Sequence, residues 1–200
     1  DALGREEIRG FSDAYAAVLE PVRASLDPGC ANILISHCFV KGGQVSDSES
    51  PLYIGGSGEI DASLFAGFDY VALGHLHAPQ KAGPNGRYSG SPLTYSFDEE
   101  RQRKSMSIVE FSGHDIEVRE LPVPPLHAMR TLSGTMNELL AEGQKQKSED
   151  FIFVRLLDEH PVYMPVEQLR PYYPNLLGLS TEWMRAVSDN GDGIDRTRRT

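Results

Sequence analysis

Cysteine is scarce in this 200-residue chain, with only Cys30 and Cys38, which excludes a disulfide-stapled scaffold. A bridge between them would close only a short loop of modest entropic value, so both read as reduced thiols of a cytoplasmic protein. Long apolar runs are also missing. None approaches the roughly 18 residues that a membrane helix needs, and the opening Asp1-Ala2-Leu3-Gly4-Arg5-Glu6-Glu7 has no signal-peptide pattern. The chain reads as soluble, with no membrane partner. Basic charge is in deficit, 19 Lys and Arg against 29 Asp and Glu for a net charge of −10, which makes a poor non-specific nucleic-acid binder. What remains is ordinary for a folded chain. Hydrophobic residues make up 40% and charged residues 24%, enough for one large domain or two small ones with a core that needs no staples. The first residue is Asp rather than Met and leads straight into a helical pattern, so the chain is read as the later part of a longer polypeptide.

Ile8, Phe11, Tyr15, Val18, Leu19 and Val22 recur mostly three or four apart, which predicts an amphipathic helix ended by the Asp27-Pro28-Gly29 turn. Asn32 to Ser36 is a short apolar run without alternation, the pattern of a strand covered on both faces, and it stops at His37. Lys41 to Gly58 carries Gly42, Gly43, Gly55, Gly56 and Gly58 among serines and acids. It reads as a long loop, and such loops inside compact domains are often functional. Glu59 to Phe65 predicts a short helix. Phe68 to Leu73 then repeats the first pattern as a second buried strand, which runs into Gly74-His75-Leu76-His77. Arg87 to Pro92 reads as a strand and tight turn, and Ser105 to Phe111 with Ile116 to Leu121 as a hairpin with one exposed face.

Pro122, Pro124 and Pro125 continue neither a helix nor a central strand, so the sequence predicts a first domain over 1–122 and a second over 123–187. The second domain is expected to be a small α+β unit. Its strands are Met129 to Leu132, Phe151 to Leu157 and Leu176 to Leu179, with helices over Thr135 to Glu142 and from Pro165. Ser133 or Thr135 is suited to cap the first helix. Apolar residues nearly vanish over 188–200, which predicts a flexible tail.

Two buried strands that both end in histidine are the main chemical signal. Ligands of open α/β sheets collect outside the carboxyl ends of strands, and His37, His75 and His77 would meet there. If the segment stays extended, His75 and His77 project to the same side. Three imidazoles suit a borderline transition metal such as Mn, Fe or Zn, and ordinary hydrogen-bonded buried histidines are the competing reading. A two-metal phosphate centre needs oxygen ligands as well.

The runs Asn32-Ile33-Leu34-Ile35-Ser36-His37-Cys38-Phe39-Val40 and Ile54-Gly55-Gly56-Ser57 are followed by Phe68-Asp69-Tyr70-Val71-Ala72-Leu73-Gly74-His75-Leu76-His77. Tyr88-Ser89-Gly90-Ser91-Pro92-Leu93 and Tyr95-Ser96-Phe97 complete the set. In this order they resemble the SbcD family, the nuclease subunits of bacterial SbcC-SbcD DNA repair complexes, within the calcineurin-like metallophosphoesterases. The likeness runs over roughly 32–179, with Pro174-Asn175-Leu176-Leu177 fitting the family's capping domain. It implies an α/β fold, the C-terminal half of an α/β/β/α metallophosphoesterase sandwich followed by the small capping domain. It also implies two Mn2+ ions in the intact protein, one on His37 and His75 and the other on His77. The family's earlier Asp-x-His, Gly-Asp and Gly-Asn-His-Asp motifs have no counterpart in this sequence. The implied activity is therefore that of a longer protein, a Mn-dependent 3'-5' double-strand exonuclease and single-strand endonuclease that processes DNA ends in recombination and repair. Its implied partners are DNA, an SbcC-type ATPase and a second copy of itself, while the chain alone is expected to be inactive, with doubtful metal occupancy. A small-phosphodiester esterase and a non-catalytic module binding DNA ends or the ATPase are the alternatives.

Other features weigh toward structure. Cys38 beside His37 reads as a small buried hydrophobe rather than a nucleophile, because adjacent strand residues face opposite ways. Gly55, Gly56 and Gly58 lack the Lys-Ser/Thr of a phosphate loop. Tyr88, Ser89 and Ser91 are candidates for the substrate groove, with a structural turn equally favoured. Asp189 to Gly193 lacks the closing Glu of a calcium loop. His114, His127 and His160 read as surface residues, and Trp183 as packing in the second domain.

Overall fold

The computed structural model describes residues 8–49 and 58–182. The chain is mixed α/β, with four sheets among the described residues, and it divides between Pro124 and Pro125 into two compact units. Among the described residues no helix is long and apolar enough to cross a membrane. The tail over 188–200, the Asp189 loop and Trp183, like Gly55 and Gly56, lie outside the described residues.

The first unit opens with α1 (Phe11–Ala24), followed by β1 (Ile33–His37), β2 (Phe39–Val40) and β3 (Glu59–Ile60). After them come β4 (Tyr70–Gly74), β5 (Gln80–Ala82) and β6 (Gly86–Tyr88). Its main sheet has the order β1-β4-β6-β5, with β1, β4 and β6 parallel and β5 antiparallel to β6. Strand alternation sends Val71 and Leu73 of β4 to one face. There they are buried in a cluster with Leu19, Phe65 and Tyr88, against which Tyr15 and Leu34 pack, each full burial contributing about 1.5–3 kcal/mol. The opposite face carries Tyr70, whose ring meets Phe111 of the hairpin β7 (Ser105–Ser112) and β8 (Asp115–Pro122) edge-on at 6.3 Å. Arg87 of β6 pairs with Glu120 of β8.

Two expectations are corrected here, the cover of β1 and the helix at Glu59. The run at β1 is not covered on both faces: Ile33 and Ile35 are 48% and 83% exposed, and among the described residues β1 is the terminal strand of its sheet. The apolar stripe of α1 is likewise wider than its cover: Leu19 is buried while Phe11, Val18 and Val22 are exposed. The short helix over Glu59 to Phe65 is instead β3, which pairs in parallel with β2, followed by a 3-10 turn at Ala62–Phe65. Asp61 starts that turn by accepting a hydrogen bond from the Ser63 amide. Local capping chemistry outcompetes a full helix over so few residues.

The second unit contains β9 (Met129–Gly134), α2 (Met136–Lys145), β10 (Phe151–Leu156), α3 (Pro165–Leu169) and β11 (Leu176–Thr181). Its strands are all parallel in the order β11-β10-β9. This is a β-α-β-α-β unit, not the α+β arrangement expected, since each helix is the crossover that a parallel connection requires. Central β10 buries Ile152, Val154 and Leu156 against Met136 and Leu139 of α2 and Leu169 of α3. Thr135 starts α2 with a capping box. Its hydroxyl accepts from the Glu138 amide, while the Glu138 carboxylate accepts from the Thr135 amide at 2.8 Å. Gly143 permits close packing inside α2, since a Cβ there would stand 2.6 Å from Tyr172 Cβ.

Candidate functional site

Parallel register brings the histidines together. His37 at the end of β1 lies opposite Gly74 at the end of β4, so His37 and the next residue of the second strand, His75, reach the same carboxyl edge. Their rings stand 5.3 Å apart and nearly perpendicular. Gly74 gives the His37 ring its room, since a Cβ there would lie 2.9 Å from Nδ1 of His37 and force a shift.

The segment after Gly74 does not stay extended. His75 adopts φ 118°, a region that side-chain-bearing residues enter at a cost of about 1–3 kcal/mol and chiefly at functional sites. The strained turn sends His75 toward His37 and Phe39. His77 instead meets the Tyr95 ring at 5.4 Å. All three histidines still line one open groove of about 630 Å³, together with Ser48, Ser91 and Tyr95. Burial, then the neighbouring His37, hold His75 below the ordinary histidine value against the opposing pull of Glu49. The shift favours the neutral imidazole, the form that binds a metal.

His77 is held on all sides. Its amide donates to Glu49, its carbonyl accepts from the Ser91 amide at 3.0 Å and from Lys104 at 3.2 Å, and its Nδ1 lies 2.9 Å from Oε1 of Glu99. Glu99 is fully buried. Burial alone would raise its pKa, but hydrogen bonds from Lys104, Ser48, His77 and the Tyr95 amide prevail and push it down to about 2. Lys104 Nζ lies 2.7 Å from Oε2 of Glu99, with Ser91 and Gln102 as further acceptors.

Over 178 residues the chain is 34% identical to the SbcD component of the SbcCD nuclease of Staphylococcus epidermidis, covering 88% of this chain and 48% of that protein. The chain is similar to this SbcD protein. The matched length exceeds either compact unit, so the SbcD likeness runs through both. The chain spans about half the length of the SbcD relative it matches. No protein-family model matches it.

Among the described residues, no three His, Cys, Asp or Glu side chains are placed to hold one metal ion together. The imidazoles suit a metal, but the two nearby carboxylates are engaged, Glu49 by the His77 and Ser46 amides and Glu99 by Lys104. The residues present therefore fit a share of a coordination sphere, lacking oxygen ligands.

The groove candidates of the SbcD-like Tyr88-Ser89-Gly90-Ser91 run separate. Tyr88 does not line the groove: it is fully buried, its hydroxyl accepts from the Val40 amide and donates to the Cys38 carbonyl, and burial pushes its pKa up to about 12. Ser89 contributes no groove wall and bonds only weakly to the neighbouring Gly90 carbonyl at 3.4 Å. Ser91 lines the groove, with its hydroxyl committed to Lys104 and Leu93. Cys38 is buried, and its thiol is pushed up by that burial. Cys30 is exposed, and both thiols are free. His114 and His160 lie at the surface, while the His127 ring meets Phe151 edge-on. Sequence reasoning missed Glu99 and Lys104, since no spacing rule ties a carboxylate to a histidine 22 residues earlier. Their only sequence trace is an acid and a base shortly after the Tyr95-Ser96-Phe97 run.

Proposed function

We propose that this chain is the later half of an SbcD-type nuclease, the first unit completing a calcineurin-like α/β/β/α sandwich and the second serving as its capping domain. The observation that carries the reading is the convergence of His37, His75 and His77 on one groove from two parallel strand ends, within a chain 34% identical to an SbcD protein. The open face of β1, with Ile33 and Ile35 exposed, supports a further layer covering this side of the sheet.

In this reading His37 and His75 bind one ion, His77 binds a second, and the remaining ligands come from outside this segment. When bound, two Mn2+ ions supply Lewis-acid polarisation of a phosphodiester and a water of lowered pKa. The chain's own residues prepare for them. Burial favours the neutral form of His75, the Gly74 backbone admits the His37 ring, and Glu49 and Lys104 fix the His77 backbone. Neutral imidazoles cancel none of the metal charge, so the centre would attract DNA phosphates despite the chain's net −10. The substrate class is DNA ends. The partners are an SbcC-type ATPase and a second SbcD-type copy, and the setting is the cytoplasm.

The test is Mn-dependent cleavage of end-labelled duplex DNA by the longer protein, by its His75→Ala variant and by this 200-residue chain. Cleavage is expected only from the unsubstituted longer protein. Undiminished cleavage by His75→Ala would reduce the SbcD likeness to fold alone. Robust cleavage by the 200-residue chain, lost in His77→Ala, would show that the site is complete without further ligands.

A further inference from the structure

The ion pair behind His77 is an unexpected place to find charge. Glu99 and Lys104 have side chains 0% and 4% exposed, and a buried ion pair recovers little more than its desolvation cost, so packed apolar residues would serve folding as well or better. Both charges are fully occupied. Glu99 Oε1 faces His77 Nδ1 and accepts from the Ser48 hydroxyl, and Oε2 accepts from Lys104 and, at 3.2 Å, from the Tyr95 amide. Lys104 also donates to the carbonyl of His77 itself. The pair thus grips one residue at its ring and at its backbone.

We propose that Glu99, anchored by Lys104, is the positioning residue of the site, holding the proton of the His77 ring on Nδ1 so that Nε2 alone offers a lone pair to the groove. The contacts require a proton on Nδ1. An ionised carboxylate only accepts, so an unprotonated Nδ1 at 2.9 Å would set lone pair against lone pair. Ser48, whose oxygen is 2.8 Å from Nδ1, gives its single hydrogen to Glu99 and meets the ring with a lone pair as well. A histidine that ligates a metal almost always gives its other N–H to a carboxylate or carbonyl in this manner, which fixes both ring orientation and tautomer. The inference extends the reading of His77 as a ligand, but its geometric content stands on the metal-free protein.

The experiment is long-range proton–nitrogen NMR of the 15N-labelled 200-residue chain, with Glu99→Gln and with the paired change Glu99→Leu/Lys104→Met, which removes both charges. Without metal, His77 in the unsubstituted chain is expected wholly as the Nδ1–H tautomer. The paired variant, with the other amide resonances retained, is expected to shift toward Nε2–H, and Glu99→Gln to give a mixture. An Nε2–H tautomer in the unsubstituted chain, or an unchanged Nδ1–H tautomer in the folded paired variant, would overturn the proposal. Titration with Mn2+ separates this from the metal reading. Paramagnetic broadening of the His77 ring is expected, at roughly 10- to 100-fold higher Mn2+ in the paired variant. An Nδ1–H ring that Mn2+ leaves sharp would count against the metal assignment alone.

Discussion

Strands β10 and β1 begin with similar apolar runs, Phe-Ile-Phe-Val and Ile-Leu-Ile-Ser, and meet opposite fates. β10 lies between β9 and β11 and buries Ile152, Val154 and Leu156 beneath helices of its own unit. β1 has β4 on one side and, among the described residues, no strand on the other, and its Ile33 and Ile35 face outward. The difference shows what a short apolar run encodes. It marks a strand, and says nothing of how far that strand is buried.

The sharpest way to break this contrast is a pair of truncations followed by urea denaturation. Leu169→Ala in the second unit should cost about 2–5 kcal/mol, because a fully buried side chain leaves a cavity. Ile35→Ala should stay within about 0.5 kcal/mol, as exposed positions do. A comparable loss at Ile35 would mean that β1 is covered in solution.

The helices extend the comparison on a smaller scale. α2 begins with the Thr135–Glu138 capping box, whereas α1 begins at Gly10 with no side-chain cap. Thr135→Ala should cost about 1 kcal/mol and speed amide exchange in α2 while leaving α1 unchanged. The smallest expected effect concerns pH. His114 lies 2.9 Å from Asp69. This contact raises the His114 pKa, and Asp69 is lowered by the Asn32 amide and then by His114. The raised histidine contributes stability that is complete below its ordinary value of about 6.5 and is lost as pH rises through its folded value. The first unit's midpoint should therefore fall slightly between about pH 6 and about pH 8. The second unit should not follow, and Asp69→Asn should remove most of the fall, leaving the part owed to the Pro28 carbonyl and Asp115.

Much of the site is legible in the sequence. The two apolar runs ending in histidine mark β1 and β4, and their parallel pairing brings His37 and His75 to one edge. The turn at His75 is not legible, because φ 118° is a strain that a non-glycine residue accepts only under tertiary pressure. Position after the histidine strand points Tyr88 to the groove, but its neighbours Gly86 and Arg87 do not reveal which face of β6 is the core. The two-residue strands β2 and β3 leave no periodicity to read. The second unit's strands and helices are visible as apolar runs and a capping signal. Their parallel order, which depends on crossovers rather than on composition, is not.

Gly74 has a consequence for how relatives of this chain are judged functional. Its missing side chain leaves the space beside the His37 ring, so a single methyl group at position 74 would force that ring to shift and leave every histidine in the text of the protein. A survey that counts imidazoles would score such a sequence as unchanged, although one wall of its groove had been rearranged from the backbone side.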